Sequence, residues 1–250
     1  MFHCKQFSLD DNGATMKIGT DAVLLGALAD TDGVHGAETA HMPAPPRHIL
    51  DIGTGCGILA LMMAQRFANA TVDAIDIDRQ TVAVAAANFD LSPWSNRLHA
   101  EHISLQDFTL RHTDAQRAAY DLIVSNPPYF TNSLKNNDPR RQMARHSDNL
   151  DLEQLFGCTA QLTARDGRLA IILPATDSDK AIGEAQLCGL QCTSLVDISN
   201  KHGDQPKRSI LQFAHRADNA PEMEHYSIAL RNNDNTYSNE YKSLTQPFLL

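Results

Sequence analysis

The stretch LDIGTGCGILALMMA, residues 50–64, decides the fold. A short apolar run reaches Asp51, passes through Gly53, Gly55 and Gly57, and enters an uninterrupted apolar segment of helix length. Glycines at such a strand-to-helix junction let the backbone turn sharply, and they let a ligand approach main-chain N–H groups that a Cβ would shield. The dinucleotide fingerprint GxGxxG would need a third glycine where this chain has Ile58. The pattern present is instead Asp-x-Gly-x-Gly-x-Gly, with an acid two residues ahead of the first glycine.

Outward from that turn, segments of strand length rich in apolar and β-branched residues recur at 48–53, 71–77, 97–103, 120–126, 167–174, 193–199 and 208–215. Helix-compatible runs lie at 57–69, 79–91, 151–163 and 177–188, and another near 21–29. This alternation implies βαβ units. Near-continuous apolar strands such as DLIVS and LAIIL fit a mostly parallel sheet covered by helices on both faces. The class is therefore α/β and Rossmann-like, with seven strands expected. One catalytic unit is expected over 1–250: an N-terminal extension and loop at 1–46, a core at 47–216 and a tail at 217–250 whose pattern alternates only weakly.

A chain of 250 residues, 42% apolar and 20% charged, can bury a substantial core. Its longest apolar stretch, around Ile58 to Ala64, is too short to span a bilayer, and MFHCKQFSLDD lacks a secretory h-region. A cytoplasmic protein without membrane partners is expected. The odd number of cysteines, 5, with no CxxC pair, indicates neither a disulfide framework nor a zinc site, and the histidines show no metal-ligand spacing. The net charge of −9 opposes nucleic-acid binding when taken alone. Its distribution is uneven. Residues 131–146 carry Lys135, Arg140, Arg141 and Arg145 against Asp138; residues 201–216 carry Lys201, Lys207, Arg208 and Arg216 against Asp204, so each nets +3.

The strand at 120–126 ends in VSNPPYF, residues 124–130. Pro127 and Pro128 cannot donate to a sheet, so the ladder must stop at Asn126. Asp-x-Gly-x-Gly-x-Gly resembles the cofactor loop of S-adenosylmethionine-dependent methyltransferases, and Asn-Pro-Pro-Tyr resembles the signature of the class I members that methylate adenine N6, guanine N2 or glutamine amide nitrogens. Such nitrogens are poor nucleophiles because the lone pair is delocalised, so acceptors must fix the N–H bonds. The Asn126 oxygen and the Pro127 carbonyl supply them in this reading. Tyr129 offers a ring for a flat acceptor to stack on, and Phe130 packs beneath.

The resemblance extends over nearly the whole chain. MKIGTDAVLLGALA (16–29), NNDPRRQMARHSDNLDLEQL (136–155) and the ending YSNEYKSLTQPFLL are similar to the bacterial tRNA(Val) (adenine-37-N6)-methyltransferases. It implies S-adenosylmethionine as cofactor, held by Asp51, Gly53, Gly55, Gly57 and Asn126, with Asp76 on the ribose hydroxyls and Asp107 on the adenine amine. Thr20 and Asp21 would line its methionine end. Asp21 could instead cap the helix that follows, Asp78 could replace Asp76 or cap the next helix, and Asp107 could be an ordinary loop acid. Asn126, Pro127 and Tyr129 are the catalytic candidates. Phe130, Lys135, Arg140, Arg141 and Arg145 are the RNA contacts, with Lys207 and Arg208 weaker; His146 is left out of catalysis. The partner implied is tRNA, with no metal, and a monomer is expected. Three alternatives stay open: a release-factor glutamine methyltransferase, for whose helical N-terminal domain the first 47 residues leave little room; an rRNA guanine-N2 methyltransferase; and a non-catalytic cofactor-binding module.

Overall fold

The computed structural model describes residues 1–15, 17–31, 44–114, 119–127, 150–217 and 222–250. An eight-stranded sheet organises them. Its members are β3 (His48–Ile52), β4 (Thr71–Asp76), β5 (Leu98–His102), β6 (Tyr120–Ser125), β7 (Thr163–Pro174), β8 (Leu190–Lys201), β9 (Arg208–His215) and β10 (Glu224–Arg231). Their order is β10-β8-β9-β7-β6-β3-β4-β5. All neighbours are parallel except those of β9, which runs antiparallel to both β7 and β8. The seven expected strands are present, and an eighth, β10, extends the sheet beyond β8.

Alternation along the strands explains why both faces are covered. Ile49, Val72, Ala74, Leu122, Val124, Ala170 and Ile172 belong to one buried cluster. Leu50, Ile75, Ile123, Leu169, Ile171 and Leu173 belong to the other. Successive side chains on a strand point to opposite faces, so a strand buried on both sides must be apolar throughout. The first cluster is closed by α1 (Thr20–Leu28), α2 (Ile58–Arg66) and parts of α3 (Arg79–Asp90). The second is closed by α4 (Leu105–Asp114), α5 (Leu152–Leu162) and α6 (Ser178–Leu187).

Helix boundaries follow from capping. Asp78 caps α3 by accepting from the Thr81 amide at 2.7 Å, and Asp151 caps α5 through the Gln154 amide at 2.7 Å. Helix α2, apolar on every side, is buried along Ile58–Ala64. Its last residue, Arg66, donates to the carbonyls of Gly26 at 2.8 Å and Ala29 at 2.6 Å, satisfying the C-terminal end of α1. A Cβ on Gly26 would lie 2.5 Å from the Met62 sulfur. These two contacts show that α1 and α2 run in the same sense. The start of α1 therefore lies at the same end as the glycine turn that opens α2.

The chain termini meet. Short strands β1 (Phe2–His3) and β2 (Ser8–Leu9) pair with one another, Cys4 bridges to Leu249, and the Lys5 amide donates to the Phe248 carbonyl at 2.8 Å. The last helix, α7 (Asn239–Thr245), is capped by Ser238 through the Tyr241 amide at 3.0 Å. Among the described residues no helix is long and apolar enough to cross a membrane.

Candidate active site

Strand order reverses between β3 and β6, and in open parallel sheets the crevice beyond the strand carboxyl ends at such a reversal is where ligands bind. Ile52 is paired with Ser125, so Gly53 and Asn126 leave the sheet side by side, about 5 Å apart across the strand spacing. The Ser125 hydroxyl ties the two strand ends together, donating to the Ile52 carbonyl at 2.9 Å. Ile52 is also paired with Ile75, which brings Asp76 to the other flank of Gly53.

The turn after β3 takes its shape from its glycines. Gly53, Gly55 and Gly57 have φ of 70°, 58° and 88°, the left-handed region that side chains disfavour. Around Gly53 and Gly55 a Cβ would meet nothing within 4 Å, whereas at Gly57 it would strike the Phe89 ring at 2.5 Å. The first two glycines therefore face open space and the third is a packing position against α3. The side chain of Asn88, missed in the sequence, anchors this turn from behind by donating to the Cys56 carbonyl at 2.8 Å while its oxygen accepts from the Asp10 amide at 2.9 Å. A lone amide within AVAAANFD is its sequence signal.

Two acids flank the cradle. Asp51 is fully buried, and one of its oxygens accepts from the Thr54 hydroxyl at 2.7 Å and the Ala60 amide at 3.2 Å. The other oxygen has no hydrogen-bond partner among the described residues. Burial pushes its carboxyl up to about 7, against those two hydrogen bonds. Asp76 accepts from the Gly55 amide and from the Asp78 amide, each at 3.0 Å, one on each oxygen. Burial raises its carboxyl as well, opposed by those amides. Each Asp76 oxygen keeps a second lone pair. Asp78 is thus the cap of α3, and Asp76 is the acid at the glycine turn.

The remaining positions divide. The carboxamide oxygen of Asn126 is buried without a hydrogen-bond partner among the described residues, an arrangement that costs about 1–3 kcal/mol when nothing fills it. Pro127 follows it directly. Asp107 lies beyond β5 at the same end of the sheet, where it shares a capping arrangement with Ser104: the hydroxyl donates to its carboxylate at 2.8 Å and accepts from its amide at 3.1 Å. Thr20 opens α1 and is exposed. Asp21, in the first turn, accepts from the Arg208 Nε at 2.8 Å. Arg208, first residue of β9, is thereby brought into the site's rim as a partner of Asp21, which no local sequence signal marks. Tyr129, Phe130, Lys135, Arg140, Arg141, Arg145 and His146 lie outside the described residues. Among the described residues no group of three or more His, Cys, Asp or Glu is placed to hold a metal ion.

The residues present fit a cationic, ribose-bearing ligand. Two left-handed glycines leave room for it against the main chain, a buried carboxylate oxygen and a buried carboxamide oxygen lack partners among the described residues, and a second carboxylate accepts from the Gly55 amide of the turn.

Comparison with known proteins agrees with this geometry. A family model described as the methyltransferase small domain matches residues 38–154. The chain is 39% identical over 249 residues to the tRNA1(Val) (adenine(37)-N6)-methyltransferase of Pedobacter heparinus, covering 100% of this chain and 97% of that protein. The protein of the same name from Phocaeicola vulgatus gives the same identity and coverage, 39%, 100% and 97%, and that of Tolumonas auensis is 35% identical over 250 residues. Among solved structures, a protein from Agrobacterium tumefaciens described as a predicted O-methyltransferase superposes with a TM-score of 0.65 at 17% identity, covering 91% of this chain and 96% of that one. At that identity the likeness is one of fold.

Proposed function

Because the chain belongs to the tRNA1(Val) (adenine(37)-N6)-methyltransferase family, we propose that it methylates the exocyclic N6 amine of adenine 37 in tRNA(Val), using S-adenosylmethionine. The cytoplasm, where tRNA is found, is the compartment this reading assigns, with the protein acting as a monomer. The observation that carries the reaction class is the buried oxygen of Asn126, without a hydrogen-bond partner among the described residues, beside an open glycine cradle at the switch point of the sheet.

When bound, S-adenosylmethionine supplies an electrophilic methyl group on a positively charged sulfur. Gly53 and Gly55 would let it lie against the main chain, Asp76 would receive ribose hydroxyls, Asp107 would accept the adenine amine, and Asp51 would supply a carboxylate for its positive charge. Thr20 and Asp21, at the start of α1 and so at the same end as the turn, would border the methionine end.

The acceptor adenine needs no strong base. Its N6 lone pair is delocalised into the ring, and nucleophilicity returns as the amine pyramidalises. The Asn126 oxygen and the Pro127 carbonyl accept the two N–H bonds and so hold the lone pair toward the methyl group. Among the described residues nothing bonds the Asn126 oxygen, so none of those contacts has to break for it to accept. The base must leave the anticodon-loop stack to reach this depth, and Tyr129, outside the described residues, is the ring this reading assigns to offset the unstacking. Once the methyl has moved, the surplus proton leaves the amine for water.

Purified protein incubated with tRNA and methyl-labelled cofactor, followed by nuclease digestion, should yield labelled N6-methyladenosine. Label in 2-methylguanosine or on a protein substrate would reject the assignment and favour the related amine or amide methyltransferases.

A further inference from the structure

Strand β8 runs parallel to β7, and β10 parallel to β8, so Lys201 and Arg231 end their strands on the same side of the sheet as Asn126. These two residues are register partners. Beyond them the turn after β8 and the turn after β10 interlock: the Lys201 ammonium donates to the Asn233 carbonyl at 3.2 Å, and His202 faces Glu240 at 3.7 Å. Arg231 is fixed rather than free, with its guanidinium donating to the Asn235 carbonyl at 2.7 Å and lying 4.4 Å from the centre of the Tyr237 ring. Tyr237 in turn stacks on the buried Tyr241 at 4.7 Å and an interplanar angle of 21°, yet stays 44% exposed. Lys207, exposed, precedes Arg208 on the same rim.

We propose that this rim, built from Lys201, Lys207, Arg231 and Tyr237, is a docking ledge for the sugar–phosphate backbone of the tRNA substrate. The inference rests on the tRNA reading given above. Three physical points carry it. Lys201, Lys207 and Arg231 bring three cations to one end of the sheet in a chain whose net charge is −9, and cations there suit a polyanion. Three carboxylates border it, Asp204 accepting from the Lys201 amide, Asp234 from the Thr236 hydroxyl and Glu240 facing His202, and among the described residues none of them is paired with the Lys201 ammonium or the Arg231 guanidinium. And four strand spacings separate β10 from β6, about 19 Å, so a chain whose flipped base reaches Asn126 can lay neighbouring nucleotides along the ledge. Arg231, held over the Tyr237 ring, is the kind of guanidinium that pairs with phosphate oxygens or stacks under a base.

The test measures tRNA affinity by filter binding across a salt series, together with kcat and KM for tRNA and affinity for S-adenosylmethionine, in Lys207→Ala, Arg231→Ala and the double variant. The ledge predicts about a tenfold rise in tRNA KM for the double variant and a salt slope lower by about one for each cation removed, with kcat and cofactor affinity unchanged. Should Arg231→Ala fail to fold, the exposed Lys207→Ala alone must raise KM about threefold and lower the slope by about one. A tRNA KM and salt slope equal to those of the unsubstituted protein overturn the ledge, and so does a defect confined to kcat or cofactor binding. The two readings fail separately. Methylation that persists with unchanged slopes in the variants removes the ledge alone, whereas tRNA bound through these residues without formation of N6-methyladenosine removes the methylation assignment alone.

Discussion

Arg208 and Asp21, 187 residues apart in the sequence, are joined by a 2.8 Å hydrogen bond that ties the first residue of β9 to the first turn of α1. Their side chains are 32% and 25% exposed, so solvent screens the pair and its direct contribution to stability is about 1 kcal/mol or less. Its positional effect is larger, because Asp21 belongs to the segment assigned to the methionine end of the cofactor. Arg208→Ala is expected to lower the melting temperature by only about 2–4 °C while weakening S-adenosylmethionine binding several-fold. Calorimetric titration beside a thermal melt checks both, and intact cofactor affinity would detach the pair from the site.

Asn126→Ala separates catalysis from folding. The substitution deletes a buried oxygen that has no partner among the described residues, so stability should hold or rise by about 1 kcal/mol. Transfer to tRNA should fall by about 10²-fold or more, the scale seen when a group that orients or stabilises the reacting atoms is removed. Thermal unfolding and a single-turnover methylation assay read the two effects independently. A destabilised variant would mean that the oxygen is used in the free protein, and an active one that the amine is held by another group.

The three glycines of the turn predict different failures. Gly57→Ala places a Cβ 2.5 Å from the Phe89 ring at a φ of 88°, so it should destabilise the whole protein by about 2–3 kcal/mol through combined clash and strain. Gly53→Ala and Gly55→Ala meet no atom within 4 Å and carry only the backbone strain of about 1–2 kcal/mol. Their new methyl group projects into the space assigned to the cofactor, so the dominant loss should be cofactor affinity. Urea denaturation set against cofactor titration distinguishes the classes, and equal loss of stability in all three would refute the division.

How much of this was legible in the sequence depended on whether the signal was local. The core strands carry both faces' apolar residues in one run, so HILDI and YDLIVS could be read directly. The start of β7 could not: Thr163 to Gly167 is polar, and it joins the sheet through a register shift opposite Tyr120, where a Cβ on Gly167 would lie 2.6 Å from the Tyr120 carbonyl. Helix α4 went unseen because its apolar positions, Leu105 and Phe108, are spaced among polar residues, and the Ser104–Asp107 cap reads equally well as a loop. Strand β10 was hidden for another reason: it is an edge strand, and only Ile228 and Ala229 are fully buried, so the hydrophobic alternation is weak. In the site, the glycine turn and Asn126 announce themselves by residue type at fixed spacing. Arg208 and Asn88 do not, because each acts on a partner distant in sequence.

Asp51 should make both stability and cofactor binding depend on pH. Burial raises its carboxyl from the ordinary 3.8 to about 7. Between those values the folded protein holds a proton that the unfolded chain has released, so this residue's contribution to stability falls as pH rises through that window and its cost is complete above it. Asp76, also raised by burial, adds a change of the same sign. Asp51→Asn removes the Asp51 part, so the melting temperature of the variant should gain on that of the original protein between about pH 5 and about pH 8. A positively charged ligand beside Asp51 favours the ionised form, so binding S-adenosylmethionine near neutral pH should release a proton and grow tighter from about pH 6 to about pH 8. Titration calorimetry in buffers of different ionisation enthalpy counts that proton. A count of zero at neutral pH, unchanged in Asp51→Asn, would place the carboxyl out of reach of the ligand's charge and leave its burial as a purely structural cost.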